Sequence, residues 1–146
     1  MNNKIHKKIL IVSANYYKEI SKSLVKGATN HFEKNDAFFN FTIEIKTAPG
    51  CFEIPFVINN YKNKFDGFIA LGCIIRGETY HFELISNEVT RKIMDLNISI
   101  NKPIGFGILT CENIEQAKIR SAIDQNNKGA EAAEACIAML IHKNHG

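Results

Sequence analysis

The chain has 146 residues, 45% hydrophobic and 23% charged, with 18 Lys and Arg against 15 Asp and Glu for a formal net charge of +3. This content of Ile, Leu, Val and Phe can offset the entropy of chain ordering, so disorder is excluded, and a domain of this length needs no disulfide or metal staple. The charge is small and scattered, without the basic stripe of a nucleic-acid binder, and no apolar run approaches the ~20 residues of a membrane span.

The first apolar run, Ile9–Val12, is too short for a signal-peptide core. Cys51, Cys73, Cys111 and Cys136 stand alone without C-x-x-C spacing, so zinc and dithiol redox readings lose support. The expectation is a cytoplasmic protein with buried thiols. Lys8–Ala14 is β-branched and apolar on both faces, the pattern of a buried parallel strand. Ile20, Leu24 and Ala28 recur every four residues, which predicts a helix from about Lys18 to Phe32. Asn35 and Asp36 break it. Phe39–Lys46 alternates Phe39, Phe41, Ile43 and Ile45 with polar residues and reads as a half-exposed edge strand. A turn at Ala48-Pro49-Gly50 leads into a helical stretch ending near Asn63. Pro55 lies in its first turn, where a missing N–H is harmless.

Gly67–Gly72 is a third short apolar strand. From His81 onward Phe82, Ile85, Val89, Ile93 and Leu96 fall at steps of three and four, a strong amphipathic helix. Pro103–Leu109 is the fourth strand. Asn113 with Gln116 three residues on has the form of a capped helix start. Gly129–Lys143 is an Ala-rich final helix with Ala133, Ile137, Leu140 and Ile141 on one side. Alternating strands and helices imply a parallel sheet covered on both faces. The expected architecture is one domain, residues 1–146, as a flavodoxin-like three-layer αβα sandwich with four strands in the order 2-1-3-4.

In such sheets ligands bind beyond the carboxyl ends of the strands. The loops there are Asn15 to Tyr17, Ala48 to Glu53, Cys73 to His81 and Thr110 to Glu112. The first three concentrate glycines, aromatics and ionisable groups. In the third, Gly72 and Gly77 permit tight or positive-φ backbone. It runs into a helix whose first N–H groups are unpaired, so an anion such as a phosphate would be held there. Thr79 either adds a hydroxyl donor or is the plain N-cap. The segment matches neither the triphosphate nor the dinucleotide fingerprint. His81 is either a proton-transfer group, kept neutral by the helix dipole, or a surface histidine. Glu53 either faces the helix dipole or accepts hydrogen bonds from ligand hydroxyls. Tyr16 either stacks on a flat heterocycle or lids the core. Arg120 and Lys128 fall outside these loops and read as surface charge, and mid-strand Phe106 as core. His142 and His145 read as a solvated tail rather than as metal ligands.

Pro49-Gly50-Cys51-Phe52-Glu53-Ile54-Pro55 is similar to the lumazine synthase pattern P-G-[AS]-x-E-[IL]-P. Gly72-Cys73-Ile74-Ile75-Arg76-Gly77-Glu78-Thr79-Tyr80-His81-Phe82 resembles that family's G-x-V-I-R-G-x-T-x-H-[FY]. Phe106-Gly107-Ile108-Leu109-Thr110 and Asn127-Lys128-Gly129-Ala130-Glu131-Ala132 match two more segments. All four stand in the family's order and spacing, and the resemblance runs from Ile9 to about Lys143.

The resemblance implies a cofactor-free, metal-free condensation of 5-amino-6-(D-ribitylamino)uracil with 3,4-dihydroxy-2-butanone 4-phosphate. The products are 6,7-dimethyl-8-ribityllumazine, phosphate and water. By it, Tyr16 stacks on the pyrimidine, where the family usually has Phe. The backbone around Cys51 and Phe52 and around Ile74 and Ile75 reads the ring edges, and Glu53 holds ribityl hydroxyls. Glu78 and Thr79 contact the phosphate, Arg120 supplies its cation, His81 transfers protons, and Phe106 and Lys128 border the site. The resemblance further implies a homopentamer with active sites between subunits, so that Phe106 and Arg120 come from the adjacent chain. A decamer or a sixty-subunit shell stays open. Asn15 departs from a position where many members have Arg. Ser121 to Asn126 departs from the Gly/Thr-Lys-rich turn of shell-forming members. The competing readings are a protein that binds a flavin or lumazine without turnover and a shell protein whose assembly is its function.

Overall fold

Ile9, Leu10, Ile11 and Val12 are all fully buried, and a strand that hides both faces must lie inside a sheet covered on both sides. The computed structural model, which describes residues 4–124 and 126–145 and only the backbone of His145, has that arrangement. Its elements are β1 (Ile5–Ala14), α1 (Lys18–Lys34), β2 (Phe39–Ala48), a 3₁₀ turn (Cys51–Glu53), α2 (Ile54–Asn60), β3 (Gly67–Ile75), α3 (His81–Ser99), β4 (Ile104–Cys111), α4 (Ile114–Ser121) and α5 (Lys128–His145). The four strands are parallel, in the order β2-β1-β3-β4. This is the predicted α/β three-layer fold.

Period-two alternation divides the core. Ile9 and Ile11 of β1 join Leu24, Ala28 and Phe32 of α1 and Ala133, Cys136 and Leu140 of α5 on one face. Leu10 and Val12 join Ile54 and Ile58 of α2 and Val89, Ile93 and Leu96 of α3 on the other. The first face therefore carries α1, α4 and α5, and the second carries α2 and α3.

The strands run longer than the apolar pattern suggests. β1 pairs with β2 along its whole length, from Ile5↔Phe39 to Ala14↔Ala48, so backbone pairing recruits the polar Ile5–Lys8 end. β2 is the expected edge strand, but its apolar face is only half covered. The Phe41 ring packs on Phe32 at 4.9 Å and on Phe39 at 5.8 Å, whereas Ile45 is 49% exposed. The end of α1 covers the start of β2 and leaves the later part of the strand open. The stretch read as helical to about Asn63 ends earlier, at Asn60, and a turn from Tyr61 to Lys64 completes it. Asn113 caps α4 as its sequence implies, its Oδ1 accepting from Gln116 N–H at 2.9 Å, while Gln116 Oε1 accepts from Glu112 N–H at 2.8 Å.

Candidate active site

Backbone hydrogen bonds bring the strand-end loops together. Asn15 N–H donates to Ala48 O at 3.1 Å, which locks the loop after β1 to the turn after β2. The buried Ser21 hydroxyl donates back to Ala14 O and fixes the entry to α1. Glu53 N–H closes the 3₁₀ turn on Gly50 O at 3.2 Å, and Pro55 then starts α2 in its tolerated position. Arg76 N–H donates to Cys111 O at 2.9 Å, joining the ends of β3 and β4.

These loops enclose a hollow of about 590 Å³. Tyr16 and Phe52 stand on its walls, 72% and 62% exposed, so neither ring lids the core. Tyr17 meets Tyr16 edge to face at 5.0 Å and leans on the first-face core. Burial raises the Tyr17 hydroxyl above its ordinary value. Cys51, Cys73, Ile74 and Ile75 also line the hollow, with Glu53 and His81 beside them. All four cysteines are free and buried. Burial pushes the Cys51 and Cys73 thiols up to about 12, so both are neutral, inert walls rather than nucleophiles.

Ile74 and Ile75 are strand residues, although the sequence reads them as loop. β3 continues to Ile75 because β4 runs beside it to Cys111, with Cys73↔Leu109 and Ile75↔Cys111 in register. The glycines differ from expectation as well. No described glycine has positive φ. Gly72 is needed for space: a Cβ there would lie 2.5 Å from Cys51 Sγ and 3.1 Å from Ala14 Cβ. Gly77 faces open space.

His81 is exposed in the first turn of α3. Its N–H donates to Thr79 Oγ1 at 3.2 Å, so the Thr79 oxygen serves the helix start and leaves its own proton available to a ligand. Tyr80 holds the N-cap position without a side-chain bond. Glu78 and Thr79 are exposed next to the hollow and are not among its lining residues.

Arg120, Lys128 and Phe106 lie elsewhere. They line a second hollow of about 460 Å³ along β4, α4 and α5. Arg120 is exposed in the last turn of α4 and reaches the Cys111 thiol, which burial still holds above its usual value. Lys128, half-buried, opens α5 and pairs with Glu131 at 4.0 Å. Phe106 is half-buried: it packs against the second-face core and also borders this hollow. The two hollows share no lining residue.

Sequence reasoning does not single out Tyr17, Cys73 or Ile85, which line the first hollow. Tyr17 and Cys73 stand in the strand-end loops it identifies, which is the only available signal. Ile85 carries the helical period of α3 and reads as core. No group of three or more His, Cys, Asp or Glu among the described residues could hold a metal ion. His142 is exposed, and the His145 side chain lies outside the described residues.

Chemically, the first hollow suits a flat heteroaromatic ring with a polar tail. It has aromatic walls, a carboxylate able to accept hydrogen bonds from hydroxyls, and an imidazole. The second hollow presents two cations to an anion. The 6,7-dimethyl-8-ribityllumazine synthase family model matches residues 6–144. The chain is 47% identical over 146 residues to a 6,7-dimethyl-8-ribityllumazine synthase of Bartonella tribocorum, covering 98% of this chain and 93% of that protein. It is 43% identical over 139 residues to one of Agrobacterium fabrum, covering 90% and 91%. It is 40% identical over 132 residues to one of Limosilactobacillus reuteri, covering 89% and 85%.

Proposed function

The chain belongs to the 6,7-dimethyl-8-ribityllumazine synthase family, and from that premise we propose that it makes this lumazine for riboflavin biosynthesis in active sites shared between neighbouring subunits. It is a transferase that condenses 5-amino-6-(D-ribitylamino)uracil with 3,4-dihydroxy-2-butanone 4-phosphate. Each chain contributes one catalytic domain, and the assembly is a homopentamer working in the cytoplasm.

The observation that carries the shared-site reading is the separation of the two hollows. The ring-binding half holds Tyr16, Phe52, Glu53 and His81, and the cationic half holds Arg120 and Lys128 with Phe106. The arginine nearest His81 cannot replace Arg120. Arg76 already pairs with Glu83 and Glu112, and Glu78 adds a further carboxylate to that loop. A phosphate dianion approaching this loop meets more negative than positive charge. A neighbouring chain that laid its second hollow against the first would bring Arg120 and Lys128 to the phosphate, two cations this loop does not supply.

In the assembled site Tyr16 stacks on the pyrimidine. The backbone of Cys51, Phe52, Ile74 and Ile75 reads the ring edges, and Glu53 accepts bonds from the ribityl hydroxyls. The amine adds to the ketone and a first water departs as the imine forms. Phosphate leaves by elimination, and the ribityl-bearing nitrogen then closes the ring on the remaining carbonyl with loss of a second water. Each step moves a proton, which His81 takes up and returns, a contribution of ~100–10,000-fold. The neighbour's Arg120 and Lys128 stabilise charge on the departing phosphate, and Glu78 and Thr79 complete its contacts. Holding two substrates in register supplies the largest share of the rate.

Mixing variants tests this. His81→Ala and Arg120→Ala chains are each expected to turn over slowly alone. When co-assembled in equal amounts, about a quarter of the seams in a cyclic ring would receive both intact residues, and lumazine absorbance should rise accordingly. Hybrid assemblies, verified by mass, that regain no activity would place both residues in one subunit's site. Wild-type protein that forms no lumazine from the two substrates would remove the enzymatic reading itself.

A further inference from the structure

Asn127 lies between Arg120 and Lys128 in the chain and is only 4% exposed. A buried amide is costly unless its polar atoms are satisfied. Here Nδ2 donates to Ser121 O at 2.7 Å and to Ser23 O at 3.1 Å, and Oδ1 accepts from Ala130 N–H at 3.0 Å. One side chain thus joins the end of α4, the body of α1 and the start of α5.

The surroundings are cut to admit it. A Cβ on Gly27 would lie 2.0 Å from Asn127 Oδ1, and one on Gly129 would lie 3.0 Å from that atom and 2.0 Å from Leu24 O. An ordinary N-cap uses only the side-chain acceptor, and Ser performs that role equally well. The two Nδ2 bonds go beyond capping. Ser121 is the residue after Arg120, and Ala130 lies two residues beyond Lys128. The bonds therefore hold both cations in one frame, across a connection in which Ile123, Asp124 and Asn126 are exposed.

We propose that Asn127 is a positioning residue that sets the spacing of Arg120 and Lys128 for the phosphorylated substrate. This rests on the role given to those two residues above. Phosphate clamps are sensitive to small errors, since a misplacement of about 1 Å can cost ~100-fold.

The test is Asn127→Ser in the full-length assembly, which keeps an acceptor for the α5 cap and removes both donors. The expected result is a KM for the butanone phosphate raised about fivefold or more, a KM for the pyrimidine within about twofold of wild type, and an unchanged sedimentation profile. Inorganic phosphate, titrated calorimetrically, should bind more weakly to the variant. Should the Ser variant fail to fold, Asn127→Thr, which likewise keeps an acceptor, lacks the Nδ2 donors and adds no charge, gives the same reading. Equal KM values to wild type, or both KM values rising together as Tm falls, would overturn the positioning role. An Arg120→Ala variant with an unchanged KM for the phosphorylated ketone would instead overturn the underlying reading, whatever Asn127 does.

Discussion

Arg76 grips Glu112 side-on, its Nε 2.8 and 3.0 Å from the two carboxylate oxygens, and so binds the end of β3 to the end of β4. The same guanidinium pairs through Nη1 with Glu83 and lies over the Phe82 ring, 4.4 Å from its centroid. Both partners sit in the first turn of α3, directly after His81. Surface ion pairs contribute little singly. A planar group held on three sides acts instead as an orienting clamp for the turn that presents the imidazole.

The clamp should fade in acid. The hydrogen bond from Arg76 holds the Glu83 carboxyl below its usual value of 4.5. A carboxyl depressed in the folded state adds stability that is full above its unfolded value and is lost as pH falls through the folded one. Melting wild type and Glu83→Gln side by side should show wild type more stable at pH 7 and the two converging as the pH is taken down well below the usual carboxyl value of 4.5. A gap that persists undiminished in acid would mean that Glu83 acts through something other than its charge.

His81→Ala should slow lumazine formation by about 100-fold or more. The side chain is exposed, so the oligomer and its Tm should stay close to wild type. Steady-state rates with both substrates, alongside sedimentation, check this. A rate near wild type would remove His81 from the mechanism.

Gly72→Ala should destabilise the fold by about 1–3 kcal/mol, because the new methyl group would overlap Cys51 Sγ at 2.5 Å. Shortening the thiol should relieve the clash. The Gly72→Ala, Cys51→Ala double variant is therefore expected to be more stable in urea than the sum of the single changes implies. Strict additivity would show that the strain arises against Ala14 instead.

The thiols should resist labelling in the native protein. Burial pushes Cys51, Cys73 and Cys136 up to about 12 and raises Cys111 as well, so the reactive thiolate is scarce at neutral pH. Ellman's reagent at pH 7.5 should react slowly with native protein and reach all 4 cysteines in denaturant. Fast native labelling that maps to Cys51 or Cys73 would show that the hollow opens more widely than its buried walls indicate.

Element order, the two helical layers and the loops that build the first hollow were legible in the residues alone. The relevant signals are local: β-branched runs at Ile9–Val12, steps of three and four from Phe82 to Leu96, and the Asn113–Gln116 cap. Each depends on neighbours within a turn or a strand, so a linear pattern carries them. Tyr16, Glu53 and His81, which line the first hollow, followed, because topology alone puts strand-end loops together.

Tertiary structure decided what depends on distant pairing. Ile74 and Ile75 became strand because β4 runs alongside them, a matter of register with a segment more than thirty residues away. Gly72 proved to be a space requirement set by a sulfur from another loop, not a turn. The clamp of Arg76 on Glu112 and the bridge from Asn127 to Ser23 cross 36 and 104 residues. So does the division that leaves His81 and Arg120 in separate hollows. No local period encodes such contacts; they exist only once the sheet has set which chain ends meet, and charge and hydrogen-bond geometry then act across the gap.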